Sequence, residues 1–407
     1  MSRQKANPIP VNALWLLVGA TLLQIAIASI QQGVPVLAVF FREEMHLTLS
    51  QMGAMVSALY FGRTIGNIGA GPLVDRFGPR RLQVWGSILV VVFALAMELF
   101  KSYFAVLAGL FLLGTAISSG PITGNRSIFQ VFSKERRGLA MGIRQAGVPL
   151  GGALSAVVIP VLLVAVGIGG VWVAMAVAVT LTGVLFTVVA PSQGSGAPPK
   201  RLFAPFRDLR GALPAWLFGF LMAAGQAATM SFVIVDLHAV HGWPIAQASA
   251  GLALALIGGG VGRMGWGWLS DLLKGRRPLV LIVIGVVGAG SALLMGWLPA
   301  GVPALAFLPV LFVLGLGTLG WNALNLTWAG ERVRPVISGQ ALSWTLTATS
   351  LGTMIDSPLF GHLVDLTHHY SVAWSAVGAM LLLAGFVALW DGRAAAATQR
   401  EASRASD

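Results

Sequence analysis

Two arginines that lie inside apolar segments are the side chains of this sequence best placed to do chemistry. Arg63 stands twelve residues before Asp75, and Arg263 stands eight residues before Asp271. At ~1.5 Å per residue, these spacings place the arginines ~18 Å and ~12 Å from the ends of their predicted helices. Neither arginine has an acidic residue within one helical turn. Because an unpaired buried cation needs a counter-charge, we expect both arginines to contact an anionic substrate.

The surroundings of the two arginines are related by a constant spacing. Arg63 precedes Asn67 by four residues, and an offset of 196 residues carries this pair onto Gly259 and Arg263. Residues four apart lie on one face of a helix, so both arginines are expected to face a shared interface, about one turn apart in depth. The alternative interpretation is that each arginine bonds backbone carbonyls or a distant aspartate.

Coupling to protons would need a titratable group in the same apolar segments. Asp236 and Asp356 are the candidates, and Asp356 is the deepest of the acidic residues near the outer ends of the predicted helices. The alternative is that both aspartates line the outer mouth of the protein.

The elements that position these residues are those of an integral membrane protein. Of the 407 residues, 56% are hydrophobic and 10% are charged, whereas a soluble domain carries about 25% charged residues. The chain contains no Cys, which excludes disulfides, thiolate metal sites and thiol catalysis. The six His residues show no zinc-like spacing and no pairing with a serine nucleophile. We therefore expect no metal, no cofactor and no enzymatic activity.

Twelve apolar stretches predict membrane-spanning helices, since a ~30 Å hydrocarbon core needs roughly 20 helical residues. They lie at 12–40, 50–71, 82–100, 104–129, 139–165, 168–190, 211–238, 246–268, 278–298, 302–328, 337–363 and 371–391. This pattern predicts an all-α membrane protein with two six-helix, pseudo-symmetric halves. The halves are 1–190 and 211–391, with a linker at 191–210 and a tail at 392–407.

The basic residues predict how the helices are oriented. With the N-terminus in the cytoplasm, 20 of the 26 Lys and Arg residues fall in cytoplasmic segments, and only Arg42 and Lys101 fall on the other face. Since cytoplasmic loops of membrane proteins are enriched in Lys and Arg, both termini are expected in the cytoplasm of a bacterial cell, with the protein in the inner membrane. The net charge of +12 then reflects topology and contact with anionic lipids of the bilayer, not nucleic acid.

A repeated sequence links the two predicted halves. GPLVDRFGPRR at 71–81 matches GWLSDLLKGRR at 267–277, and Glu135-Arg136 recurs as Glu331-Arg332 at the same spacing. Two matches at one spacing indicate duplication of a six-helix unit. A glycine here permits close helix contact, and an aspartate at a helix end pairs with arginine or caps a helix N-terminus. The residues predicted to form such a gating latch are Gly71, Asp75, Arg76, Arg80, Asp271 and Arg276.

The segment GPLVDRFGPRR resembles the motif G-x-L-x-D-R-x-G-R/K-R that follows the second helix in the major facilitator superfamily. GRMGWGWLSD, which contains Arg263, resembles the eighth helix of monocarboxylate and oxalate transporters and of nitrate/nitrite porters. The resemblance implies a secondary transporter with a gating role for the latch and substrate contact by Arg263 and Arg63. The chain departs from nitrate porters in lacking their Gly-Asn-rich stretches. It departs from animal monocarboxylate carriers in having Gly259 where they place an aspartate.

The resemblance also implies further cavity residues, because the first helix of each three-helix unit lines the cavity in this superfamily. Arg144 lies in GIRQAGVPLGG, a segment common in bacterial members, near a predicted inner helix end from which a long basic side chain extends to the interface or the cavity. For each candidate the alternative is a helix–helix hydrogen bond. The other candidates are Gln24, Gln226, Trp321 as an apolar wall and Asn322 as a donor to a small organic acid.

These features together predict a monomeric transporter that carries a small organic anion, a monocarboxylate, by alternating access with proton symport. The alternative transporter is an efflux antiporter for an amphipathic or drug-like compound. That alternative predicts an acidic cavity for a cationic compound, whereas the candidate cavity residues here include arginines without nearby acids.

Overall fold

The computed structural model describes residues 11–47, 49–99, 102–192 and 202–406, and within these ranges the chain is helical apart from short turns. Part of the predicted linker lies outside the described residues. So do five of the basic residues used to predict the orientation of the helices, namely Arg3, Lys5, Lys101, Lys200 and Arg201. Single 3-10 turns occur at Met97–Leu99, Arg210–Ala212 and Pro335–Ile337. The α-helices are α1 (Val11–Glu44), α2 (Leu49–Phe77), α3 (Pro79–Ala96), α4 (Tyr103–Ile117), α5 (Ser119–Val131), α6 (Arg137–Val189), α7 (Phe206–Leu209), α8 (Leu213–Ala239), α9 (Ile245–Leu272), α10 (Arg277–Trp297), α11 (Ala304–Thr318), α12 (Asn322–Glu331), α13 (Ser338–Thr367) and α14 (Tyr370–Ser406).

These helices cover the predicted apolar segments. In the described part of the chain, eight helical stretches are long and apolar enough to cross a membrane. One of them, α6, covers both predicted segments between 139 and 190. The all-helical class is confirmed, while the count of twelve crossings and the cytoplasmic position of both termini stay predictions.

A glycine divides the 53-residue helix α6 into two arms. Gly167 has φ 70° and ψ −179°, which is not a helical conformation. Glycine tolerates positive φ because it has no Cβ. The boundary predicted between 139–165 and 168–190 falls at this residue.

Gly167→Ala is expected to lower the free energy of unfolding by about 1–2 kcal/mol, because alanine is strained at this positive φ. A Cβ added here would meet no described atom within 4 Å, so strain and not crowding is the cause. Thermal unfolding of the detergent-solubilised protein measures the effect. Gly290→Ala is the matched control, since that glycine lies within α10 and is equally free of neighbours. A melting temperature that falls no more for Gly167→Ala than for Gly290→Ala would contradict the explanation.

Two of the predicted helices are broken near their centres. The predicted segment 104–129 forms α4 and α5, which meet at Ser118. Pro121 explains this break, because a proline ring clashes with the carbonyl four residues earlier, here that of Ile117, where α4 ends. The predicted segment 302–328 forms α11 and α12, which are separated by residues 319–321. Each break leaves backbone carbonyls available to side chains.

The helix continues through the predicted tail at the C-terminal end of the chain. α14 runs from Tyr370 to Ser406 without ending at Asp391. The residues beyond Asp391 include six Ala and three Arg, which have high helix propensity. The loss of hydropathy that marks the predicted tail therefore does not mark the end of the helix.

Apolar packing follows the two parts of the chain. One large cluster of buried side chains lies between residues 16 and 190, and the other lies between residues 209 and 388. Two smaller clusters join the parts, one containing Phe129 and Leu326 and the other placing Leu346 against a cluster that contains Val74. These contacts lie toward the end of the bundle that the charge pattern predicts to be cytoplasmic, which we call the inner end. The division into six-helix halves at 191–210 stays a prediction.

Candidate functional site

At the inner end, α2 crosses α13 in close contact. A Cβ at Gly71 would lie only 2.5 Å from the Cβ of Ser343, so no larger residue fits there without displacing α13. One turn further along α2, the Asp75 carboxylate accepts hydrogen bonds from the backbone N–H groups of Gly339 (2.9 Å) and Gln340 (3.0 Å). These N–H groups belong to the first turn of α13, so Asp75 caps the helix N-terminus and complements its dipole.

A related crossing joins α9 to α6. The backbone of Gly138 lies so close to Gly267 that a Cβ at Gly267 would overlap it. The Asp271 carboxylate accepts hydrogen bonds from the backbone N–H groups of Gly138 (3.1 Å) and Leu139 (2.8 Å), in the first turn of α6. Asp75 and Asp271, 196 residues apart, therefore each cap a helix from the other part of the chain, and we call these two crossings the inner latch.

The cations that pair with the latch aspartates differ from those predicted. Arg76, Arg80 and Arg276 have exposed side chains, and none forms an ion pair with the described residues. Asp75 is paired instead with Arg126 on α5, which is buried and lies 3.1 Å away through its Nε. Arg126 also donates a hydrogen bond to Ser338 Oγ at 2.7 Å.

In the second crossing the partner of Asp271 is Arg277, at 2.5 Å. Arg277 also reaches Glu331 at 3.4 Å and donates to the Lys134 backbone carbonyl at 2.6 Å. Glu331 further approaches Arg137 at 3.8 Å. Glu331 is the repeat counterpart of Glu135, so the sequence indicates a second acidic residue. Nothing in the sequence indicates that Arg277, and not Arg276, is the cation of this crossing.

Arg144 occupies the break between α4 and α5. Its side chain is 0% exposed. Its Nη1 donates to Asn125 Oδ1 at 2.6 Å, and its Nη2 donates to Gln24 Oε1 at 2.5 Å and approaches the Pro121 carbonyl at 3.3 Å. The interfacial position considered for Arg144 is wrong, because the carbonyls freed by the helix break and two amide oxygens hold the guanidinium inside the bundle.

Arg263 occupies the second broken region. Its side chain is 9% exposed. Its Nε donates to the Leu319 carbonyl at 3.1 Å, and its Nη1 donates to the Gln145 carbonyl at 2.7 Å. Arg263 therefore joins α9 to the break beyond α11 and to α6, and its bond to Gln145 places it beside the residue that follows Arg144. The carbonyl bonds are those of the alternative interpretation, and no acidic side chain of the described residues pairs with Arg263.

Arg63 lies on α2, where its backbone packs close to Gly114 of α4. Its side chain is partly buried, and its Nε is buried without a hydrogen-bond partner among the described residues. Asn67, one turn away, is fully buried with both amide atoms unpartnered, while its backbone carbonyl accepts a bond from Ser343 Oγ. Arg63 on α2 and Arg263 on α9 therefore lie in different parts of the chain, and their approach to a common substrate stays a prediction.

Two of the other candidates form a pair. Asn322 Nδ2 donates to Gln226 Oε1 at 2.9 Å, and both side chains are partly buried. Trp321 is fully buried, donates its indole N–H to the Thr318 carbonyl at 2.9 Å and packs edge-on against Phe218. Trp321 therefore belongs to the core around α8 in this conformation and does not line an open cavity.

The two candidate proton-binding aspartates are buried and not solvated at the mouth. Asp236 on α8 accepts a hydrogen bond from the indole N–H of Trp374 at 2.9 Å. Asp356 on α13 is 5% exposed, and its Oδ2 is buried without a hydrogen-bond partner in the described part of the chain.

The electrostatics of the interior follow from these pairings. Asp75 and Asp271 are both paired with arginines in the inner latch, whereas Arg63, Arg144 and Arg263 have no acidic partner in the ranges that the structure describes. Guanidinium groups bind carboxylate and similar anions through paired N–H donors. The arrangement is therefore suited to bind an anion between the two parts of the chain. No group of three potential metal ligands occurs in the described ranges.

Comparison with known proteins supplies relatives for this arrangement. The family description "Major Facilitator Superfamily" matches residues 17–353. The chain is 32% identical over 346 residues to "Uncharacterized MFS-type transporter Rv2994" of Mycobacterium tuberculosis, covering 83% of this chain and 76% of the relative. It is 25% identical over 406 residues to "Probable sulfoacetate transporter SauU" of Cupriavidus necator, covering 92% and 93%. It is 27% identical over 363 residues to "Probable nitrate/nitrite transporter NarK2" of M. tuberculosis, covering 86% and 87%.

The fold also resembles a solved structure. The crystal structure described as that of "a Major Facilitator Superfamily (MFS) transporter, FucP, in the outward conformation" matches with a TM-score of 0.75 at 16% identity. The match covers 93% of this chain and 98% of the other.

Proposed function

The chain belongs to the major facilitator superfamily and is a multi-pass membrane transporter, and from this premise we propose that it carries a small organic anion by alternating access with proton symport. The observation that supports an anion is the presence of three intramembrane arginines, Arg63, Arg144 and Arg263, without acidic partners among the described residues. A cationic substrate would instead need a carboxylate in the same region.

The relatives also support an anionic substrate. The names of two of them state sulfoacetate and nitrate/nitrite, which are anions. A carboxylate fits Arg263 because the planar guanidinium presents paired donors to its two oxygens. We infer a monocarboxylate, bound at Arg263 in exchange for the carbonyls of Gln145 and Leu319, as the substrate class.

Movement of the substrate needs both a gate and an energy source. The inner latch provides the gate, since its two crossings join the two parts of the chain at one end. A monoanion entering a cell moves against an inside-negative potential at a cost of about 2.3 kcal/mol per 100 mV, so accumulation requires a co-transported cation. We infer that the cation is a proton and that the protein acts as a monomer in a bacterial inner membrane.

Uptake into proteoliposomes tests this function. With radiolabelled acetate, lactate, pyruvate, oxalate, sulfoacetate and nitrate supplied separately, at least one monocarboxylate should accumulate when the lumen is more alkaline than the medium. Collapse of the pH gradient by a protonophore should abolish the accumulation, because the driving force is lost.

The alternative, efflux of a drug-like compound, gives a different result in the same vesicles. Proton-driven transport of a cationic dye without uptake of any anion would contradict the proposal and favour the efflux antiporter. Empty liposomes with the same gradient control for passive entry of the protonated acids.

A further inference from the structure

Helix α13 presents a polar face to α8 beyond the inner latch. Near the inner end the indole N–H of Trp216 on α8 donates to the Ala341 carbonyl of α13 at 3.2 Å. Further out, Thr349 Oγ1 lies 3.1 Å from where a Cβ of Gly219 would lie, and a Cβ of Gly352 would lie 2.7 Å from the Ala223 Cβ. The two helices therefore run in the same direction, and Thr349 and Gly352 define the face of α13 that contacts α8.

Asp356 lies on that same face, because it follows Gly352 by one helical turn. The facing residues Gly219 and Thr349 differ in number by 130, and Ala223 and Gly352 differ by 129. The same differences in residue number, applied one turn further outward, place Asp356 level with Gln226 and Ala227 on α8. Gln226 is the residue that accepts the hydrogen bond from Asn322, so Asp356 lies at the depth of a polar pair on two other helices.

The burial of Asp356 favours its neutral form over an ionised form. Its Oδ2 is buried with no hydrogen-bond partner in the described part of the chain, and burying an unpartnered carboxylate carries a free-energy cost that protonation removes. Asp236 differs, because the Trp374 indole N–H satisfies one of its oxygens inside the core of α8 and α14.

Charged and titratable groups near Asp356 come from several elements. On α2, Arg63 lies one turn beyond the Asn67–Ser343 contact and Tyr60 lies nearly a turn further outward, and α12 supplies none at this level in the described residues. The others lie toward the outer ends of the elements around Asp356, namely Asp236 and His238 on α8, His362 and Asp365 on α13 and Tyr370 on α14. The charged residue of α5, Arg126, lies at the inner end beside Ser338, about five turns of α13 away. No described cation forms an ion pair with Asp356, so an ionised Asp356 would lack a counter-charge in this conformation.

We propose that Asp356 is the residue that binds the coupled proton, an inference that rests on the proposed anion/proton symport. The proton from the outer side adds to the Asp356 carboxylate and gives the neutral acid, while the substrate anion binds at the arginines. The carrier then moves one positive and one negative charge together. On the inner side the proton returns to water as the anion leaves, and the carboxylate is restored.

Reconstituted Asp356→Asn tests this role, with the substrate taken from the uptake panel. Asparagine cannot release a proton, so concentrative uptake driven by a pH gradient should fall at least ~50-fold. Exchange of internal for external substrate at equal pH should stay within about threefold of wild type, since the full cycle of proton release is not needed. Asp365→Asn, exposed at the outer end of the same helix, is the matched control and should keep both activities.

Asp356→Glu retains a titratable carboxyl and should retain proton-driven uptake, with a displaced pH dependence. If the asparagine variant does not fold, the glutamate variant serves as the test. An unaltered pH dependence of its uptake would overturn the proposal. Full proton-driven accumulation by Asp356→Asn, or uncoupling by Asp236→Asn in its place, would also overturn it. Absence of any anion transport by the wild type would instead refute the proposed function itself.

Discussion

Replacing Arg263 with glutamine is expected to lower the rate of anion uptake by about 100-fold or more, equivalent to about 2.7 kcal/mol. The substrate carboxylate loses its guanidinium partner, and the neighbouring cations are already engaged, Arg277 by Asp271 and Arg144 by Gln24 and Asn125. The glutamine amide still donates a hydrogen bond, so one of the two carbonyls bound by Arg263 can keep a partner.

Initial rates of uptake into proteoliposomes measure this effect, together with binding of the substrate to detergent-solubilised protein. Arg263→Lys keeps the charge but loses the fork of donors, so it should transport at an intermediate rate, about tenfold below wild type. Arg81→Gln removes an exposed arginine that makes no ion pair with the described residues and is the matched control. Uptake by Arg263→Gln within threefold of the control would assign Arg263 a purely structural role in joining α9 to α6.

The sequence predicts the elements of this protein well because its apolar segments are long and separated by basic turns. It also locates both latch aspartates, since Asp75 and Asp271 recur at a spacing of 196 residues and each lies at a helix end. The role of each as a helix cap follows from the structure, which brings α13 to Asp75 and α6 to Asp271.

The pairing of charges is what the sequence does not reveal. Arg76 and Arg80 are close to Asp75 along the chain, yet their side chains lie in solvent at the inner end, and the partner of Asp75 is Arg126 from another helix. Likewise, the position of Arg144 depends on a break in the neighbouring helix. Pro121 signals that break locally, but no local pattern shows that Arg144 reaches the freed carbonyls.

Removing the carboxylate of Asp75 is expected to open the inner end. Asp75→Ala deletes the cap on α13 and leaves Arg126 buried without its counter-ion, and loss of one partner of a buried ion pair costs about 3–5 kcal/mol. Because this cost falls on the conformation in which α2 and α13 are in contact, the population with a separated inner end should rise by roughly 100-fold or more. In the separated conformation water can solvate Arg126 and remove this cost, so the equilibrium shifts toward the separated inner end.

Thiol labelling measures this opening without interference, because the chain contains no Cys of its own. Leu342→Cys places one thiol at a fully buried position on α13, within the cluster that joins the two parts of the chain. A membrane-impermeant maleimide supplied to the inner side should label this thiol at least ~30-fold faster when Asp75→Ala is added. Asp208→Ala is the matched control, since it removes only the pairs with the exposed Arg334 and Arg207, and exposed pairs contribute at most about 1 kcal/mol. Equal labelling rates in the two variants would show that the Asp75 contacts do not hold the inner end closed, and the gate would then have to reside in the Asp271 crossing alone.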